Sequence, residues 1–391
     1  MSILGDATSV ASDLGLSLNS LISESLARQP NGAVTVNGLY VPWESFEVDS
    51  NNYYEADTFR IDIPSGSLPA TVTPSYFSST PAVLIQIFAG FPPFPALFSS
   101  LGLDSLIVGQ VDDITYDPVK TLITLSGRDL TAKFIDNKTT EKFQNLTSSQ
   151  IASLLANRRG LTPVVTATTT KVGKYYQIDN ARLTDQKSEW DLLNYLAHEE
   201  NFDVFVQGQS LYFQPKVSET ATTPYVIYFN EPFISSGAPV GNFVELELGR
   251  NLTLAKDIIV KVRSWNQKQK KGFVKTATAT HNKNTVLAGA AQPIGDAQTY
   301  SYVYPNLTPQ QALQKAQNLL AELSKHEMRA SIVLPGNNLI KAQNIIKLTG
   351  TGTNWDQNYY ADSVVRTMSI TEGYNMRIEA KNHSPVSDIF S

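Results

Sequence analysis

The sequence predicts an α+β fold that is mostly β. Three observations carry this reading. Alternating apolar residues mark two strand-rich stretches, at about 33–130 and 218–382. Between them, at about 131–217, helix-like and strand-like spacings alternate. The second stretch is interrupted by a polar segment that ends in a helix pattern. A chain of 391 residues is too long for one ordinary core and implies two to four domains.

Residues 1–32 are rich in Ser, Ala and Leu and predict an N-terminal arm or short helix. Residues 33–130 predict a small antiparallel barrel or sandwich. "VTVNGLYV" places Asn37-Gly38 between apolar runs, the strongest short hairpin signal. Phe59, Ile61 and Ile63 alternate in "DTFRIDIP". After a Ser/Pro-rich connection, "AVLIQIFAG" reads as an apolar strand. "LIVGQVDDITYDPVKTLITLSGRDL" gives two more strands, turning at Asp117-Pro118.

The α+β domain, 131–217, opens on Thr147-Ser148-Ser149-Gln150, a capping box. Ile151, Leu154 and Leu155 form the expected buried stripe. Arg158 and Arg159 suit the negative helix end, and Gly160 can take the left-handed stop. Ser188 starts a second helix with Glu189 and Asp191 in its first turn. Trp190, Leu193, Leu196 and Ala197 keep helical spacing. Phe202, Val204 and Val206 then face Leu211 and Phe213 across "QGQS".

Strands return in "YVIYF", "FVELELGRNL" and "KDIIVKVRSWN". These assign 218–265 and 330–382 to a second strand-rich domain. Residues 266–329 are an inserted segment: a solvated basic loop, a polar Gly/Ala/Thr-rich run, and a helix capped by Thr308 and Gln311. Leu313, Ala316, Leu320 and Leu323 mark its inner face. Residues 383–391 form a C-terminal tail.

The chemistry the chain excludes is as informative. A net charge of −5 lacks the Lys/Arg surplus of a tight duplex binder. No cysteine is present, which removes disulfides, thiolate metal sites and Cys nucleophiles. The start "MSILGDATSV" lacks the form of a signal peptide, and no run approaches 18 apolar residues, so no membrane insertion is expected. His198, His281, His326 and His383 fall in no metal-ligand spacing. No nucleophile elbow, P-loop or dinucleotide fingerprint occurs; "LTGTGTN" reads as a turn between strands. Glu199 and Glu200, beside His198, project about 100° apart on a helix. Asp112 and Asp113 point to opposite faces of a strand. Neither pair faces itself across a cleft, as glycoside hydrolysis requires. No catalytic, cofactor-binding or metal site is therefore assigned.

One stretch resists a bland reading. "FAGFPPFPALFSSLGL" carries Phe91, Pro92, Phe94 and Phe98. Its prolines prevent a central strand, and its rings must be buried somewhere. They pack on their own barrel, or they form a subunit or partner contact.

The run "LSGRDLTAKFIDNKTTEKFQNLTSSQIASLLANRRGLTPVVTATTTKVGKYY", with "SEWDLLNYLAHEENFDVFVQGQSLYFQP" and the ending "YYADSVVRTMSITEGYNMRIEAKN", resembles the tail hub proteins of bacteriophages. These are the baseplate hubs related to late control protein D and to the hub part of VgrG spikes. The resemblance covers about 40–382. Many relatives carry His where this chain has Arg366 or Thr367, so no role is carried to that position. The resemblance implies two tail-tube-like antiparallel β-barrel domains per subunit. A homotrimer would then form a pseudo-sixfold ring that joins a hexameric tail tube protein to a trimeric central spike protein. It also implies contact with other baseplate proteins, DNA passing through the channel without specific binding, and a place in the virion after synthesis in the host cytoplasm. Two alternatives stay open: a peptidoglycan-cleaving or glycan-binding tail-tip protein, and the hub of a non-phage contractile injection or type VI system.

Overall fold

The computed structural model describes residues 29–51, 55–92, 102–139, 141, 143, 145–169, 171, 187–200, 202–215, 223–230, 240–251, 258–266, 271–280, 298–304, 307–324, 328–382 and 388–390. The fold is α+β and mostly β. The chain divides into two compact units. The first takes residues 1–47, 59–127 and 367–374; the second takes 48–58, 128–366 and 375–391.

In the first unit, β1 (Asn31–Val36) and β2 (Leu39–Val41) make the expected hairpin, with Val36 opposite Leu39. Asn37 (φ 47°) and Gly38 (φ 83°) both have positive φ, as the tight hairpin turn demands. β3 (Ser45–Asn51), β4 (Thr58–Pro64), helix α1 (Pro74–Ser79), β5 (Leu84–Gly90), β6 (Asp104–Asp117) and β7 (Leu122–Asp129) follow. The hydrogen-bonded order is β3-β4-β7-β6-β5-β1-β2. Phe59, Ile61 and Ile63 are all buried, as are Ile85, Ile87, Ile123 and Leu125. Every second residue thus points to the core, which is the reason for the alternation in the sequence. A Cβ at Gly127 would lie 2.1 Å from the Gln110 carbonyl oxygen, so β7 approaches β6 as only glycine allows. Helix α1 lies in what the sequence analysis reads as a connection. Its signal is Thr73, whose hydroxyl accepts the Tyr76 N–H, followed by Pro74 at the first turn.

The second unit begins with α2 (Ala132–Ile135), β8 (Lys138–Thr139), α3 (Ser148–Arg158), β9 (Thr162–Val165), β10 (Lys187–Ser188), α4 (Glu189–Glu200), β11 (Phe202–Gln207) and β12 (Ser210–Pro215). The α3 capping box is present. The Thr147 hydroxyl accepts the Gln150 N–H at 3.3 Å, and the Gln150 side-chain Oε1 accepts the Thr147 N–H at 2.9 Å. Ser188 and Asp191 exchange the same pair of bonds at the start of α4. Gly160 takes φ 72° at the α3 stop. The α3 stripe is corrected in one place: Leu154 is exposed, whereas Ala152 and Ala156 join Ile151 and Leu155 in the core. The small alanines let the helix settle against its neighbours on that side. Val204 pairs with Phe213 and Val206 with Leu211, as expected, and β12 also pairs in parallel with β9.

The rest of the unit holds β13 (Tyr225–Asn230), β14 (Val240–Gly241), β15 (Glu245–Arg250), β16 (Ile258–Asn266), β17 (Lys271–Thr280), β18 (Gln298–Val303), α5 (Pro309–Ser324), β19 (Met328–Pro335), β20 (Ile345–Thr349), β21 (Asn358–Ser369), β22 (Gly373–Asn382) and β23 (Asp388–Phe390). Ile227, Ile332, Leu348, Tyr359, Val364 and Ile378 share one core. A second sheet, ordered β18-β16-β17-β23, has its own core with α5. By its alternation β16 is expected in the domain outside the insert, but its strand partners β17 and β18 lie inside the insert. Those two were hidden because their inward side is Phe273, Ala277, Tyr300 and Tyr302 among Thr and Ser, a weak period-2 signal. The α5 face keeps Ala316, Leu320 and Leu323 as expected, with Ala312 in the core where Leu313 was expected.

Candidate functional site

Among the described residues, chemistry-bearing side chains gather in four places. The first is the joint of α4 and β11, where the sequence places His198, Glu199 and Glu200. Glu199 pairs with Lys315 of α5 at 3.0 Å. Glu200 accepts a hydrogen bond from Ser148 of α3 at 2.8 Å. The two carboxylates are thus turned to different helices, and each ties its own joint. They make no opposed pair.

The second place is the start of α4. Glu189 is 1% exposed, and its two carboxylate oxygens accept from Nε and Nη2 of Arg159, each at 2.7 Å. Arg158 approaches it at 3.6 Å and bonds Glu141 at 2.7 Å. The hydrogen bonds that Arg159 donates to Glu189 raise the Arg159 pKa above its ordinary value. From their position these arginines are expected to serve the end of their own helix. The structure shows that Arg159 reaches across and satisfies a carboxylate at the start of another.

The third place was not legible in the sequence. Asp57 accepts the Asn51 N–H at 2.8 Å, and the carbonyl oxygen of Asp57 accepts the Asp129 N–H at 2.8 Å. Asp129 is buried and accepts both the hydroxyl (2.8 Å) and the N–H (3.2 Å) of Thr131. Asp49 and Arg366 act on Asp57 electrostatically, the first raising its pKa and the second lowering it. Burial pushes the Asp57 carboxyl up to about 7, although the residue as a whole keeps some exposed surface. Burial, and then the charge of Asp57, hold Asp129 well above the carboxylate range. The residues lie 72 positions apart, so no local motif announces them. Asp129, in "GRDLT", reads from sequence as an ordinary strand end.

The fourth place is an open groove of about 580 Å³ in the first unit. Glu44, Asp62 and Glu372 line it, with Trp43, Leu122 and the 74%-exposed Ile370, and no Lys or Arg is among its described lining residues. Asp62 accepts the hydroxyls of Ser45 (3.0 Å) and Thr124 (2.6 Å), and Arg60 stands 4.0 Å away. The Trp43 indole donates to the Gly32 carbonyl at 3.1 Å, which holds its ring against the sheet. Among the described residues, no group of three or more His, Asp or Glu could hold a metal ion. The groove is an acidic and apolar surface suited to a partner more than to a reaction.

Of the Phe/Pro stretch, Phe91 and Pro92 are half-buried, and the Phe91 ring stands 6.1 Å from that of Tyr374 in the same unit. Phe94 and Phe98 lie outside the described residues. No described helix is long and apolar enough to cross a membrane.

Comparison with known proteins bears first on the fold. The tail protein from Neisseria meningitidis MC58 superposes with a TM-score of 0.62 at 13% identity, covering 92% of this chain and 98% of that one. The 43 kDa tail protein of prophage MuSo2 from Shewanella oneidensis gives 0.62 at 14%, over 92% and 100%. The prophage tail protein gp18 from Listeria monocytogenes EGD-e gives 0.53 at 10%, over 91% and 96%. These likenesses extend to both units and show a shared fold. No curated protein matches the sequence. The family model that matches is that of the Alg8 N-terminal domain, over residues 104–370. On that match the chain belongs to the Alg8 N-terminal domain family.

Proposed function

We propose that this protein is a structural hub of a phage tail baseplate and works without catalysis. Three copies form a pseudo-sixfold ring that joins a hexameric tail tube to a trimeric central spike. Other baseplate proteins surround the ring, and DNA passes through its channel without specific binding. Each copy contributes two tube-like β modules, 33–130 and, apart from β16, which pairs within the insert, 218–265 with 330–382. A threefold ring of paired modules can meet a sixfold tube, which a ring of single modules cannot.

The observation that carries this reading is the fold match to tail proteins over 92% of this chain and 98–100% of theirs. A match of that extent leaves little of the chain for an added catalytic domain. The separate engagement of Glu199 by Lys315 and of Glu200 by Ser148 supports a scaffold role for that joint.

The test is an image of the assembled tail tip, with the mass of the purified protein. Three copies in a ring at the end of the tube are expected. A single copy, or a ring absent from particles, overturns the reading. Lysis of cell-wall substrate that vanishes on Glu199→Gln also overturns it. The Phe-rich stretch is assigned to assembly: changing Phe91 and Phe94 to Ser should impair particle formation more than monomer folding. Normal assembly of that variant would make the stretch internal packing.

A further inference from the structure

The four-stranded sheet of the second unit covers only one face with α5. Ile258, Val260, Val262 and Ala277 meet the helix through Ala312, Ala316 and Leu320. Strand alternation then turns the odd residues of β16 to the opposite face. Across that face, Val303, Arg263 and Val274 stand in one row, and Ser301, Lys261 and Thr276 in the next. Val303 is 74% exposed and Trp265 54%. Opposite Trp265 stands Gly272, where a Cβ would come within 3.0 Å of the indole, so the ring leans over the neighbouring strand. β16, β17 and β18 contain no Asp or Glu in a chain of net charge −5, and the edge strand β23 sets Asp388 opposite Thr280. The part of this face made by β16, β17 and β18 is therefore basic and apolar.

The same chain carries the complement. The groove of the first unit offers Glu44, Asp62 and Glu372 beside Trp43, Leu122 and Ile370, and among the described residues no basic one lines it. We infer that the basic face of the β16–β18 sheet in one copy docks on the acidic groove of the first unit in a second copy. This rests on the hub reading and names the surfaces that would join its copies. The two patches differ, so the contact is head-to-tail, the kind that closes into rings. Opposite charges steer the encounter and fix its register, and the apolar residues between them supply burial. A nucleic-acid partner fits less well. These strands present two cations, Arg263 between Val303 and Val274 and Lys261 between Ser301 and Thr276, and duplex binding gains its strength from many phosphate contacts.

Charge reversal on the two surfaces tests this in the full chain. One variant carries Lys261→Glu and Arg263→Glu; another carries Glu44→Lys and Glu372→Lys; a third combines all four. Sedimentation of each, and counts of copies in assembled particles, give the readout. Each pair alone should weaken copy–copy association at least tenfold, and the combination should recover most of that loss. Oligomers indifferent to either reversal, or a combination no better than its parts, overturn the docking inference while leaving the hub reading intact. A wild-type protein that forms no oligomer in solution or in particles overturns both. Retention of duplex DNA by the wild type that is lost on Arg263→Glu, with mass unchanged, assigns the face to nucleic acid and also overturns the inference. Unchanged melting temperatures identify the variants as folded. If one pair fails to fold, cysteines introduced at Val303 and Ile370 decide by cross-linking, since the chain has no cysteine of its own. A ladder of cross-linked copies supports the contact, and its absence overturns it.

Discussion

Two buried carboxylate sites in the second unit show opposite solutions to one problem. Glu189 is almost fully enclosed, yet it meets the two-pronged guanidinium of Arg159 at hydrogen-bond distance on both oxygens. Asp57 and Asp129 are also enclosed, but a neighbouring carboxylate acts on each: Asp57 on Asp129, and Asp49 on Asp57. Thr131 and the Asn51 N–H give them hydrogen bonds, and Arg366 only partly offsets the charge. Burial disfavours any ion. What differs is whether a cation of matching geometry is supplied. One site is locked by an ion pair, and the other holds a proton.

The largest expected effect comes from breaking the locked site. Arg159→Met leaves Glu189 buried with only the more distant Arg158. Loss of one partner of a buried pair costs about 3–5 kcal/mol. Urea unfolding of the variant should show that drop, and Glu189→Gln in the same chain should return part of it. A drop under 1 kcal/mol would mean that Arg158 replaces its neighbour.

The protonated site makes its own prediction through pH. The Asp57 carboxyl rises from its ordinary 3.8 to about 7 in the folded chain. Between these values the folded state holds a proton that the unfolded state has released. Stability from this group is therefore full below about pH 4 and is lost as pH rises to about 7. The slope is about 1.4 kcal/mol per pH unit for one such group. Asp57→Asn should flatten that slope in denaturant titrations at pH 5, 6 and 7. The wild-type slope persisting in the variant would place the proton elsewhere.

Two smaller changes sharpen the contrast by moving outward. Thr147→Ala removes one half of the α3 capping box and should cost about 1 kcal/mol by thermal unfolding. Lys315→Ala breaks the ion pair with Glu199, whose side chain is 46% exposed. An exposed pair contributes about 0.2–1 kcal/mol, so its loss should sit at the edge of measurement and shrink further in added salt. A cost near that of Arg159→Met would show that solvent does not reach the α4–α5 joint.

Local signals in this sequence translate into structure where one segment suffices. Asn37-Gly38 makes its hairpin, Thr147 and Gln150 close their box, and Phe59, Ile61 and Ile63 fill a core. Each rests on backbone geometry or on period-2 burial, both set within a few residues. The misses share a cause too. Leu154 is exposed because the face of α3 is chosen by what packs on it. β17 and β18 escape notice because their inner residues are Tyr, Phe and Ala in a polar setting. Residues that gather from afar, such as Asp57 with Asp129 or Glu44 with Glu372, leave no spacing to read.

By itself, then, the amino-acid order determined the mostly-β α+β class, the caps, the turns and the alternation of inward and outward residues. Propensity, φ preference and hydrophobic period act over a turn of helix or a pair of strands, so they are written locally. Only the tertiary structure decided which carboxylates meet a cation and which meet each other, and which sheet face α5 leaves open. Those outcomes depend on electrostatics and packing between residues tens to hundreds of positions apart, a distance at which the linear chain carries no geometric record.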